Sequence, residues 1–115
     1  MGLPTRAEIV EKLSAWQEGA LSAAELAAWA EARELDPQAR TDVEDDAERD
    51  EALADLALLA VHLLTPEDVP ALRALLEDTD VAAATSAWHR HREAIDLDAR
   101  SRRLRKDPFY RPFCR

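Results

Sequence analysis

The side chains in this 115-residue chain whose type and spacing could do chemistry are a run of carboxylates, three histidines and one cysteine. The run is the densest feature: Asp42, Glu44, Asp45, Asp46, Glu48, Asp50 and Glu51 put seven acids between positions 42 and 51, against the single cation Arg49. Asp46, Glu48 and Asp50 have the spacing that opens a calcium loop. The rest of that loop is missing, because Glu51 stands where the sharp turn needs glycine and Ala57 where a bidentate glutamate belongs. His89 and His91, two apart, point to different sides of a helix and cannot share a metal, whereas His89 and Glu93, four apart, are spaced as an ion pair. His62 falls near Asp55 and Leu58, opposite its helix's main apolar face, and reads as a partly exposed polar residue. Gly2 and Gly19 are the only glycines. The chain therefore cannot build a glycine-rich phosphate cradle or a strained nucleophile elbow. No catalytic residue, metal ligand or cofactor site is read from the sequence, and the chain is expected not to be an enzyme.

The elements that must position these groups are all helical in pattern. Thr5 with Glu8 marks the start of a first helix whose stripe is Ile9, Leu13, Trp16 and Ala20, ended by Gly19. Ser22 with Glu25 caps a second, and Leu21 with Leu26 forms a staple that predicts a tight turn and an antiparallel pair. This helix carries Leu26, Trp29, Ala30 and Arg33 and stops before Asp36-Pro37. Residues 36–50 read as a solvated loop passing into an acidic first turn, which suits the positive end of a helix dipole. A third helix is expected to run to about Leu64 and to be packed on more than one side.

Thr65-Pro66-Glu67-Asp68 starts a fourth helix, with Leu64 and Val69 as a staple, although Pro70 predicts either a distorted first turn or a fresh start from Asp68. Asp78-Thr79-Asp80 ends that helix and caps a fifth, lined by Val81, Ala84, Trp88 and Ile95. A sixth runs from Asp96 or Asp98 to about Lys106, where Asp96 with Arg100 and Asp98 with Arg102 are spaced as i, i+4 pairs. No alternating β-branched run suggests a sheet. The fold class is thus all-α, a bundle of five or six short amphipathic helices built from antiparallel hairpins. Residues 1–115 form one domain, with 107–115 as a proline- and aromatic-containing tail. Trp16, Trp29 and Trp88 are expected in the core, and Phe109, Tyr110 and Phe113 are expected to fold back into a groove.

Charge is unevenly laid out. Residues 1–80 hold 20 acidic and 6 basic side chains, residues 81–115 hold 4 and 9, and the whole carries −9. Such a division steers a cationic partner to one end, or lets one copy's tail sit on another's body. The basic stripe Arg102, Arg105 and Lys106, flanked by Arg100 and Arg103, is explained by the dipole at a helix C-terminus, and a chain of net −9 repels nucleic acid. The longest mostly apolar run, Ala52 to Leu64, is too short to span a bilayer and contains Asp55 and His62. Cys114 is alone, so no intramolecular disulfide forms, and without a signal-peptide pattern a cytoplasmic protein is expected.

The pattern E-I-V-E-K-L-S-A-W-Q-E-G-A-L-S-A-A-E-L-A-A-W-A, with L-T-P-E-D-V-P and the ending D-P-F-Y-R-P-F-C, resembles a group of small uncharacterised bacterial all-helical proteins. That resemblance implies no activity. The first 35 residues are also similar to the opening hairpin of the immunity proteins that neutralise colicin-type nucleases. This second likeness implies an inhibitor of a basic toxin, with no toxin-binding position carried over residue by residue. Together with the charge it leads to an acidic protein-binding module for a cationic protein. The expected contacts are Asp42, Glu44, Asp45, Asp46, Glu48, Asp50 and Glu51, of which Asp45, Asp46, Glu48 and Asp50 are expected to face solvent. The alternative is a self-associating structural protein, a homo-oligomer whose basic tail docks on an acidic neighbour.

Overall fold

A computed structural model describes residues 3–36 and 46–115. Among them are six α-helices and no strand: α1 Arg6–Gln17, α2 Ala23–Glu34, α3 Ala47–Ala57, α4 Val69–Glu77, α5 Val81–Glu93 and α6 Leu97–Leu104. Two 3₁₀ turns, Pro66–Asp68 and Arg111–Phe113, complete the set. The starts follow the polar residues that precede them. Thr5, Ser22, Asp46, Asp80 and Asp96 each accept a hydrogen bond from the backbone N–H three residues on, satisfying donors that a helix leaves unpaired. Ser22 and Glu25 complete the reciprocal capping box.

Helix α1 ends in a Schellman motif. Gly19 takes φ 82°, while its N–H reaches Trp16 O at 3.1 Å and Ala20 N–H reaches Ala15 O at 2.9 Å. α2 packs chiefly along α3 rather than along α1; α4 lies on α5, and α1 and α3 both rest on α4. The shared core holds Ile9, Leu13, Trp16, Leu26, Leu53, Leu56, Leu59, Leu64, Val69, Leu72, Leu75 and Trp88.

Of three expectations, two need correction and the one at Pro70 is met by its fresh-start alternative. Helix α3 stops at Ala57 instead of running to Leu64. Residues 58–63 make a further turn that closes with the same motif, Leu63 N–H to Ala60 O at 3.1 Å and Leu64 N–H to Leu59 O at 3.0 Å. Here Leu63 occupies the left-handed position at φ 53°, a conformation that costs a non-glycine residue about 1–2 kcal/mol. Its buried side chain holds it there. Second, Pro70 is accommodated by a fresh start: the 3₁₀ turn ends at Asp68 and α4 begins at Val69. Third, Trp29 is only half-buried. Lys12 Nζ and Arg33 Cζ lie 5.5 and 5.9 Å from its ring centre, so its face serves two cations at the surface.

Candidate functional site

Of the seven carboxylates expected to meet a partner, Asp42, Glu44 and Asp45 lie outside the described residues. The other four are engaged within the chain. Arg6 at the start of α1 donates from Nε and Nη2 to the two oxygens of Asp46, both at 2.7 Å, and from Nη2 to Glu48 at 3.0 Å. Its Nη1 reaches Leu76 O at the end of α4 at 3.1 Å. One guanidinium thus ties three helices together. The bidentate bond from Arg6 leads in holding the Asp46 carboxyl at about 2, against some opposition from burial.

Asp50 pairs with Arg49 at 3.1 Å, and Glu51 pairs with His89 on α5, so the expected pairing of His89 with Glu93 gives way to a partner on another helix. The expectation that these acids face solvent is corrected for Glu48, 8% exposed, and for the part-buried Asp46. A helix wheel ranks the residues of one helix. It cannot show that Arg6, 40 residues upstream, is folded against that helix's first turn.

Two further carboxylates, neither singled out from the sequence as a site, lie deep in the molecule. Asp68 is fully buried. It accepts from Arg100 Nη1 and Nη2 at 2.5 and 2.9 Å, from Thr65 N–H at 2.8 Å and from His91 Nε2 at 2.7 Å. Burial works against ionisation, but these donors outweigh it and hold the carboxyl below its ordinary range.

Asp55 is buried on α3, where it accepts from Trp88 Nε1 at 2.8 Å and from Arg92 Nη1 at 3.1 and 3.2 Å. His62 Nε2 lies 3.5 Å away. Arg92 Nη2 also reaches His62 Nδ1 at 3.3 Å. A guanidinium only donates, so Nδ1 accepts and the histidine proton sits on Nε2, facing Asp55. Burial first, and then the charge of Arg92, lower the pKa of His62, with Asp55 opposing. The rings of Trp88 and His91 stack at 5.6 Å between the two aspartates. The signals in the sequence were a lone acid inside the apolar run, Asp55, and a cation four residues after a core tryptophan, Arg92.

The charge division is therefore met in part inside one chain. Arg92, Arg100, Arg103, His89 and His91 of the basic third pair with Asp55, Asp68, Glu67 and Glu51 of the acidic part. Asp96 caps α6 instead of pairing with Arg100. These carboxylates are engaged by fixed donors on other helices, an arrangement that fastens the helices together.

Among the described residues two open surfaces bear on binding. On the α1–α2 hairpin Glu8, Glu11, Glu18, Glu25 and Glu31 are exposed, and the first three share one side of α1 by their spacing. The hairpin's own cations are engaged, Arg6 by Asp46 and Glu48, Lys12 and Arg33 by Trp29. The second surface is a groove of about 520 Å³ where α2, the end of α3 with the turn beyond it, and the C-terminal tail meet. Leu35 (70% exposed), Leu58, Val61 and Phe113 (45%) all line it. So Phe113 does not fill a groove as expected but forms the wall of one, while Tyr110 is buried and Phe109 half-buried.

Among the described residues no cluster of histidine, cysteine and acidic side chains is placed to hold a metal. None of their helices is long and apolar enough to cross a membrane. No family model, curated protein or solved structure matches the chain.

Proposed function

We propose that this chain is a binding module for a cationic protein, in its most specific form an immunity-like inhibitor of a basic toxin or nuclease. The observation that carries the reading is the α1–α2 hairpin, which exposes Glu8, Glu11, Glu18, Glu25 and Glu31 while its cations are occupied. An outward row of carboxylates on a chain of net −9 imitates a phosphate backbone and speeds encounter with a basic surface. The acids from Asp46 to Glu51 contribute less than expected to that surface, because they fasten α3 to α1 and α5. The alternative, a basic tail docked on a neighbour's acidic body, has fewer cations to use, since Arg92, Arg100 and Arg103 are paired inside the chain.

The test is kinetic. With a partner recovered from the native host, replacing Glu8, Glu11, Glu18 and Glu25 together by Gln slows association and flattens its dependence on salt around 0.1 M, where the screening length is about 10 Å. The helical spectrum stays the same. An unaltered on-rate with an unaltered salt slope removes the electrostatic reading.

A further inference from the structure

Three histidines link α5 to α3, to the 3₁₀ turn at Asp68 and to the turn 58–63, and they answer to a proton in different ways. Two already donate to carboxylates: His91 from Nε2 to Asp68 at 2.7 Å, and His89 from Nε2 to Glu51. A second proton on either ring leaves that N–H in place and adds a charge opposite to that of its partner. His62 is wired the other way. Its Nδ1 accepts from Arg92 Nη2 at 3.3 Å, so it is tied to a guanidinium through the one nitrogen a proton would occupy. Protonation turns that acceptor into a donor and sets an imidazolium against an arginine.

The charged groups that face the ring are few. From α3 there is Asp55, 3.5 Å from Nε2. From α5 there are Arg92, His89 and Glu93, which with His62 and Val61 border a pocket of about 310 Å³. Ile95 and Leu97, beyond α5, add no charge to its lining. Asp55 is already shared between Trp88 Nε1 and Arg92 Nη1, so it offsets only part of the repulsion, and burial and Arg92 push the pKa of His62 down. The pocket gives the protonated ring room to turn from Arg92 toward the exposed Glu93.

We propose that His62 is an acid-operated latch: neutral, it holds the turn 58–63 to α5 through Arg92, and protonated, it lets the turn go while α5 stays fastened through Trp88 to Asp55, His89 to Glu51 and His91 to Asp68. The turn is placed to move on its own. It lies beyond the end of α3, and its Leu58 and Val61 are exposed. Its far end is pinned, because Leu63 O and Leu64 O accept from Arg100 and Tyr110, so the opening is confined to residues 58–62. Leu58 and Val61 also line the α2–α3 groove. The latch therefore changes the shape of that apolar surface as the pH falls.

Nitrogen NMR of the histidine side chains and amide hydrogen exchange, both on the full chain, test this. At pH 8 the His62 ring is expected as the Nε2–H tautomer. The amides of His62 and Leu63 donate to Leu58 O and Ala60 O at 3.0 and 3.1 Å. Between pH 8 and 5 their protection factors are expected to fall at least about tenfold, while those within α4 and α5 hold. His62→Gln, whose side-chain carbonyl can still accept from Arg92 but takes no proton, keeps its protection level over the same range. An Nδ1–H ring at pH 8, unchanged protection at His62 and Leu63, or a fall that persists in His62→Gln overturns the latch. So does a fall shared by α4 and α5, since that is unfolding of the core and not release of one turn.

Discussion

At the scale of single residues, the buried and part-buried carboxylates carry the stability predictions. Asp68 serves three donor groups at once, so Asp68→Asn leaves the part-buried Arg100 guanidinium with only the exposed Glu67, 4.0 Å away, as counter-charge. The expected cost is about 3–5 kcal/mol, read from denaturant melts, and a change under 1 kcal/mol would mean the site relaxes freely. The direction of its shift also sets an acid limb. A lowered carboxyl contributes stability that is complete above the unfolded value near 4 and is lost as the pH falls through the folded one. Asp46, held at about 2, behaves likewise.

His62 gives a second limb at milder pH. Its folded pKa lies below the ordinary histidine value near 6.5, so the stability it contributes is whole above that value and drains away as the pH drops below it. The stability of the wild-type chain relative to His62→Gln should therefore shrink between pH 8 and 5. A difference that stays level would show that the ring protonates in place beside Arg92. Little of this was legible in the sequence. Caps and stripes depend on neighbours within four positions, whereas Asp68 meets Arg100 across 32 residues and Arg6 meets Asp46 across 40.

At the scale of elements, the helix starts were legible because Ser22, Asp80, Asp96 and their like act on the next turn of their own backbone. The end of α3 was not. The apolar run through Leu64 looks like one helix, and only packing decides that it turns at Leu58 and bends again at Leu63. That corner is stitched by the far end of the chain: Arg100 Nη1 donates to Leu63 O at 3.0 Å and the Tyr110 hydroxyl to Leu64 O at 2.6 Å. The tail is thus a clasp on the turn at Leu63, which is held in an unfavourable conformation. Tyr110→Phe keeps the ring and strands a buried carbonyl, for an expected loss of about 1–3 kcal/mol. Truncation after Asp107 also removes the buried ring and should cost about 3–5 kcal/mol. Thermal melts of the two variants check the order, and equal melting temperatures for truncated and intact chains would show that the clasp carries no load.

At the scale of the whole molecule, the opposed charges of its two parts look like a device for attracting partners, yet much of that opposition is spent inside. Among the described residues the outward features include the acidic α1–α2 hairpin, a groove lined by Glu31 and Glu34, and the exposed cations Arg90, Arg102, Lys106 and Arg111. A chain cut after residue 87 keeps every acid of the first part and loses Trp88, His91, Arg92, Arg100 and Tyr110. It should show little cooperative unfolding, and a sharp melt from that fragment would mean Asp55 and Asp68 are tolerated without their cations.

The placement of those partners also bears on how the protein is made. The donors to Asp55 and Asp68 from α5 and α6 lie 23 to 37 residues downstream of the carboxylates they serve. A ribosome releases the chain from its N-terminus at roughly 5–20 residues per second. While α1 to α4 are already outside, Asp68 has only the Thr65 N–H and Asp55 only His62 from the chain to stabilise them, and burying them without a counter-charge is opposed. Docking of the core is expected to wait until Arg100 has emerged, so the fold closes around the two aspartates once α6 is out and not helix by helix as each appears.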